Sequence, residues 1–468
     1  MEDFNMNATV FPSLVQDASA VPQAKNIELG KLIRTAYTLD DLEAIRKALV
    51  ANKTLFLRRY SSGGHSAVTV VEGDDRTLEA AIDGLLMFHW DRDNIMQTLA
   101  ELSLAEDPAM NAGLAVPADA WRRGLMASLI HHKKREFRFM DLITDRASGL
   151  PHDYMRRPHI RYNPISLEEV GDPWGHGQND SLSFINFMTF YTLNTGRLSL
   201  SDSNTADLVN SFGALLHAFF WKVNVWQDRD LGAWEDCVGV HWSSVACALV
   251  SLREQLTYME RNGGSYVCVR EGQELRVDTK GLRELIEKCE AKLRELGTNE
   301  FVEASGYVRT ADLAQINPML LAAFSGKPVL DDANTVAVLE SIERTLMSPI
   351  GVRRYLQDRW DGRINRDDLA AGEEAQWCHG SPQMSYIWGD LYLRTGEERY
   401  FEKQVFHFNR ALASVSPRWL MPEAWIIDQQ SRQWVPDANE PLAWAQSMLA
   451  LSLVQMKASL TKRAASGR

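Results

Sequence analysis

From about residue 75 onward, segment after segment carries apolar residues at i, i+3, i+4 and i+7 spacing, the pattern of helices that bury one stripe. It predicts helices over 75–87, 93–104, 117–131, 178–195, 205–226, 242–261, 280–295, 331–346, 378–394, 398–414 and 441–459. One interruption, Ser265–Val269 with Glu274–Val277, reads as a β-hairpin between helices. Upstream the pattern changes. The first 25 residues are polar, mixed and irregular, and residues 26–72 read as a small α/β preface. There Leu39-Asp40-Asp41-Leu42 opens a short helix. Thr54-Leu55-Phe56-Leu57 and Ala67-Val68-Thr69-Val70-Val71 read as strands separated by a Ser-Ser-Gly-Gly turn. The chain is expected to divide into a preface (1–74), a helical domain (75–460) and a short polar tail (461–468). No fixed repeat of about 30–45 residues is visible, which disfavours a solenoid. A toroid of paired helices would keep its site in the loops at one end, so the loops are the place to look for chemistry.

Composition narrows the classes. Of 468 residues, 45% are apolar and 24% charged, ordinary for a globular chain able to bury a large core. Fifty Lys and Arg against 62 Asp and Glu give a net charge of −12, which argues against a nucleic-acid partner. The N-terminal stretch lacks a basic region and an apolar core, and no stretch reaches the ~18 apolar residues of a membrane span. The expectation is a cytoplasmic protein with no membrane partner. The cysteines, Cys237, Cys247, Cys268, Cys289 and Cys378, include no CxxC pair, so neither a zinc site nor a disulfide framework is expected.

Several loops beside helix ends are rich in Trp, carboxylates and amides. Phe88-His89-Trp90-Asp91-Arg92-Asp93 offers donors and acceptors to vicinal hydroxyls, or caps the following helix. Asp172-Pro173-Trp174-Gly175-His176-Gly177-Gln178-Asn179-Asp180 sets an aromatic plate beside polar side chains, as a sugar site needs, or is a turn with a cap. In Gly232-Ala233-Trp234-Glu235-Asp236, burial against an indole would raise one carboxyl as a general acid requires; the alternative is a solvated acidic turn. Gly351-Val352-Arg353-Arg354-Tyr355 with Asp358, Glu374-Ala375-Gln376-Trp377, Leu420-Met421-Pro422-Glu423-Ala424-Trp425 and Pro441-Leu442-Ala443-Trp444-Ala445-Gln446 complete the set. Trp377 reads as a wall of the site or a packing position, and Glu423 as a base or a helix-start carboxylate. Two carboxylates in Trp-lined loops far apart in sequence fit glycosidic-bond chemistry, one protonating the leaving oxygen while the other activates water or attacks carbon.

The chain resembles the glucoamylase-type glycoside hydrolases of family 15, and within that group the branch of the phosphorylase kinase α and β subunits. The resemblance covers roughly residues 75–460. It rests on Trp90-x-Arg92-Asp93, Trp174-Gly175-x-x-Gln178-x-Asp180, Trp234-Glu235 followed by Ser243-Ser244, Gly351-x-Arg353-Arg354-Tyr355, Pro422-Glu423 and Pro441-Leu442-Ala443-Trp444. It implies an all-α (α/α)6 barrel and inverting hydrolysis of α-linked glucose in an oligosaccharide or small glucoside, with no metal or organic cofactor. Glu235 would be the acid and Glu423 the base. Trp90, Arg92, Asp93, Trp174, His176, Gln178, Asp180, Trp234, Asp236, Arg354 and Trp377 would contact the substrate. The alternative that the resemblance carries is a regulatory protein that binds carbohydrate without turning it over.

Overall fold

The computed structural model describes residues 23–55, 57–68, 88–146, 153–171, 174–303, 306–361, 366, 369–370 and 372–467. The helix expected over 75–87, Phe56, Thr69-Val70-Val71 and Asp172-Pro173 lie outside the described residues. The helices of ten residues or more are α1 (Leu39–Ala51), α2 (Asp91–Glu106), α3 (Ala120–Lys134), α4 (Asn179–Asn194), α5 (Ser203–Val223), α6 (Trp242–Arg261), α7 (Thr279–Leu296), α8 (Ile316–Ser325), α9 (Asp332–Leu346), α10 (Gly380–Thr395), α11 (Glu398–Ala413) and α12 (Ala443–Ala465).

The even-numbered helices contact one another in chain order, and α12 returns to α2. The odd-numbered ones flank them: α1 on α12, α3 on α2 and α4, α7 on α6, and α11 on α10 and α12. The two sets differ in their sequences for that reason. A flanking helix buries one stripe; α7 buries Leu282, Leu285, Ile286, Cys289, Leu293 and Leu296. A ring helix is covered on every side; in α4 each residue from Asn179 to Phe190 is buried. Its small polar groups turn back on their own helix, as Ser183 Oγ donates to the Asn179 carbonyl (2.6 Å) and Thr189 Oγ1 to the Ile185 carbonyl (2.8 Å). Helix α8 escapes the periodicity reading because Ile316–Ala322 is buried all round and carries no 3.6-residue contrast.

The main core of the described residues runs from Leu29 to Leu460. The described part of the preface belongs to it, since Leu42, Ile45 and Leu49 of α1 pack into that core. Thr54, Leu55 and Leu57 form no strand. Their neighbourhood is taken up by α12: Gln446 Nε2 donates to the Thr54 carbonyl (2.9 Å), Ala443 N–H donates to the Ala67 carbonyl (2.7 Å), and Val68 bridges Leu442. Helix α12 also continues to Ala465, through most of the expected polar tail, where Lys462 Nζ donates to the Leu393 carbonyl (2.8 Å) at the end of α10.

The expected hairpin is present as β3 (Ser265–Arg270) and β4 (Gln273–Asp278), after the short pair β1 (His89–Trp90) and β2 (Arg161–Tyr162). Its turn, Glu271-Gly272, has φ of 47° and 76°, the left-handed pair that suits the twist of a hairpin. Further pairings are β5 (Phe301–Val302) with β6 (Val308–Arg309), and β7 (Gln376–Trp377) with β8 (Ala424–Ile427) with β9 (Trp434–Pro436). Among the described residues, no helix is long and apolar enough to cross a membrane.

Candidate active site

The loops that carry the chemistry lead into the N-termini of the ring helices. No side-chain cap closes those termini from the preceding residue. Distant carboxylates do so instead. Asp230 accepts from the Asn179 N–H at the start of α4 (3.0 Å), and Glu300 accepts from the Ser243 N–H (3.1 Å) and Oγ (2.6 Å) at the start of α6.

Helix α2 is pinned hardest. Asp91, its first residue, is fully buried and accepts from Ser128 Oγ (2.5 Å) and Tyr162 OH (2.8 Å), with His132 Nε2 at 3.0 Å. His89 Nδ1 accepts from the His65 N–H (3.2 Å), so the His89 proton sits on Nε2, 3.6 Å from the same carboxylate. Burial pushes the Asp91 carboxyl up, but His132 and His89 outweigh it and hold it well below the usual range. Asp91→Ala strands these donors. It is expected to destabilise the fold by about 3–5 kcal/mol, visible as a lower urea midpoint; an unchanged midpoint would refute the anchoring role.

Arg92 and Asp93 follow directly, 4% and 6% exposed. Arg92 Nε donates to Asp180 Oδ2 (2.9 Å) and Nη2 donates to Gln178 Oε1 (2.7 Å). That second bond fixes the Gln178 amide, whose Nε2 then donates to Glu235 Oε1 (2.8 Å). Arg92 Nη1 stands 3.9 Å from the same oxygen. With Oε1 committed as an acceptor, a proton on Glu235 sits on Oε2. Burial raises the Glu235 carboxyl to about 7, against the pull of Arg92 and Gln178. Its backbone is left-handed (φ 60°), a conformation that costs a non-glycine residue energy and recurs at functional positions.

Glu423 lies beside β8. Its N–H donates to the Asn439 carbonyl (3.0 Å), and Asn439 Nδ2 returns a bond to Glu423 Oε2 (2.5 Å). Burial raises the Glu423 carboxyl, against Asn439 and Arg354. Asp93 is raised to about 7, first by burial, and Glu423 adds to the rise while Arg92 opposes it. The two halves of the site join through aromatic rings. Trp234, next to Glu235, lies 5.3 Å from Trp377, which pairs with Ala424 next to Glu423. Trp234 Nε1 donates to Asp312 Oδ1 (2.7 Å), and Asp312 also pairs with Arg309.

Other expected contacts are already engaged within the protein. Arg354 donates from Nε (2.7 Å) and Nη2 (2.6 Å) to Asp358 and lies over Trp234 and Trp377. Asp236 accepts from Tyr355 OH, and Arg354 and Arg309 hold its carboxyl down against burial. Trp90 meets Trp174 edge to face (5.5 Å), and the Arg161 guanidinium lies over both. Gly177 leaves room for the Tyr154 ring, which a Cβ would meet at 2.1 Å. Gln178 and Asp180 thus orient Arg92 and Glu235. His176 is buried and stacked on His159 (3.7 Å, 15°). Asp312, His379 and Asn439 were not among the expected residues. Asp312 alone had a sequence signal, the capping box Asp312-x-x-Gln315.

His176 gives a pH signature. Burial, and next His159, lowers its imidazole to about 2, whereas the unfolded chain takes up the proton near 6.5. Below that value the unfolded state binds a proton that the folded state refuses, so this residue's contribution falls with pH. His176→Phe should therefore raise Tm relative to the parent increasingly from pH 7 to pH 4. A pH-independent difference would refute it.

Among the described residues, no group of three or more His, Cys, Asp or Glu is arranged to hold a metal ion. Compared with known proteins, residues 86–360 match the family model of glycosyl hydrolases family 15. The fold is similar to a glycosidase solved in complex with glucose (TM-score 0.61, 13% identity, 92% of this chain and 98% of that one). It is also similar to a glucoamylase from Saccharomycopsis fibuligera (TM-score 0.55, 14% identity, 97% and 99%). A bacterial glucoamylase complexed with acarbose gives TM-score 0.53 at 13% identity, over 90% of this chain and 57% of that one. No curated protein matches the chain.

Proposed function

Because the chain belongs to glycosyl hydrolases family 15, we propose that it is an inverting glycoside hydrolase that releases glucose from an α-linked oligosaccharide or small glucoside. The observation that carries this reading is the Glu235 carboxyl. It is raised to about 7, bonded on one oxygen by Gln178, and tied through Trp234 and Trp377 to the strand beside Glu423. We read the closed order of ring helices, with their flanking partners, as an (α/α)6 barrel in which α1 supplies a flanking helix and the pocket opens at the ring's N-terminal end.

In this mechanism Arg92 and Asp93 hold hydroxyls of the terminal sugar, and the tryptophans pack on its C–H faces. Glu235 donates its proton from Oε2 to the glycosidic oxygen as the C1–O bond breaks. Glu423, ionised, takes a proton from the water that attacks C1 on the opposite face, giving an inverted product. The proposal requires the two carboxyls to stand about 6.5–9.5 Å apart, with room for that water. The test is sugar release from maltose, isomaltose, trehalose and maltotriose, with fresh product read by NMR. β-Glucose is expected. No turnover, with a sugar still raising Tm, would move the reading to a carbohydrate-binding regulator.

A further inference from the structure

The ring of His379 occupies a junction that the proposed mechanism leaves unused. It directly precedes α10 and is fully buried. One face stacks on Trp444 (4.1 Å, 15°), over which the Arg92 guanidinium lies at 5.8 Å. Trp377, beside the strand of Glu423, meets it edge-on at 5.7 Å, and Trp234, beside Glu235, lies 6.1 Å away. The imidazole thus touches the rings that adjoin the acid, the base and the sugar-holding arginine.

Its tautomer is fixed from outside. Gln383 Nε2 donates to Asn317 Oδ1 (3.1 Å), so the Gln383 oxygen faces His379 Nδ1 (2.8 Å) and accepts its proton. Nε2 is left as a bare acceptor, buried and with no hydrogen-bond partner. Burial lowers the imidazole to about 4, so it stays neutral at pH 7. The indole N–H groups of Trp377 and Trp444 are likewise buried and unpaired, whereas that of Trp234 is spent on Asp312. Stranding one acceptor and two donors inside aromatic walls is costly unless something polar joins them. A hydroxyl both donates and accepts, and so matches the set.

We infer that His379 Nε2 is a specificity-determining acceptor for one hydroxyl of the sugar, with the Trp377 and Trp444 N–H groups as the complementary donors. The inference rests on the proposed sugar-binding site. It is tested with the full-length protein on α-glucosyl fluoride and its 2-, 3-, 4- and 6-deoxy analogues, and by Tm shift with glucose and the matching deoxyglucoses. His379→Phe keeps the aromatic plate and removes the acceptor. Gln383→Met keeps the ring but removes the bond that holds the proton on Nδ1, and with it the constraint that makes Nε2 an acceptor.

His379→Phe should lower kcat/KM for the parent fluoride about 10- to 100-fold. One deoxy analogue should lose the same factor in the wild type and nothing further in His379→Phe. Gln383→Met should lose a smaller factor, and at the same hydroxyl, because the acceptor is no longer held in place. An even loss across the series in His379→Phe, or no loss, overturns the inference, since packing alone then explains the residue. If no fluoride is turned over but the Tm shifts show the same one-hydroxyl pattern, the inference stands and the hydrolase reading fails. If no sugar is turned over or bound, both fail.

Discussion

Glu235→Gln is expected to lower kcat on α-linked disaccharides by about 10²–10⁴-fold, the usual contribution of a positioned general acid, with KM within a few-fold. The amide is isosteric, and its oxygen still accepts from Gln178 Nε2, so the loop keeps its shape. What disappears is the proton on Oε2. A substrate whose leaving group needs no proton separates that loss from general damage. α-Glucosyl fluoride should be hydrolysed by the variant within about tenfold of the wild-type rate, because only the protonation step is missing. The pH profile carries the same information. In the wild type, kcat/KM should fall as pH rises through about 7, where the buried Glu235 carboxyl loses its proton. In Glu235→Gln that alkaline limb should vanish. Equal losses on maltose and on the fluoride would remove Glu235 from the acid role.

Glu423→Gln is expected to be as severe on maltose, and there the fluoride should give no relief. The missing step is removal of a proton from water, which every leaving group shares. Azide restores turnover only if this assignment holds, since it attacks C1 without a base and expels fluoride, leaving a β-glucosyl azide. Burial raises the Glu423 carboxyl, so the acid limb of wild-type kcat/KM should lie above the ordinary carboxylate range. Rescue of Glu235→Gln by azide, with none in Glu423→Gln, would reverse the two assignments.

The helices were legible where one face is wet. Helix α7, with its apolar stripe from Leu282 to Leu296, and the Ser265–Asp278 hairpin fall within a residue or two of where periodicity puts them. Complete burial alone does not hide a helix, since α4 falls within a residue of the expected 178–195. Ile316–Ala322 has no polar face to set a period, so α8 was invisible to that reading. The strand expected at Thr54–Leu57 is absent at Thr54, Leu55 and Leu57 for a different reason: β propensity is local, while the Thr54 carbonyl is taken by Gln446 of α12.

In the site, Arg92, Gln178, Asp180 and Glu235 were nameable because each stands in a Trp-containing motif that carries the family resemblance. Their division of labour was not, because it depends on which amide oxygen faces Arg92. His379 carries no such signal. It looks like any histidine at the start of a helix until Trp234 and Trp444, from two distant segments, are known to lie against it.

The order in which the ring closes has a consequence for synthesis. Helix α12 follows the other described ring helices in the chain, yet it packs against α2 as well as α10, and it brings Trp444 over Arg92 and His379. Until residue 443 and those after it emerge, the nascent chain holds five ring helices with an open seam and apolar flanks bared on α2 and α10. At about 5–20 residues per second, that seam stays unsealed for several seconds while the α12 segment is made and clears the exit tunnel. A premature stop between Thr395 and Ala443 would therefore release an aggregation-prone chain rather than a weakly active one.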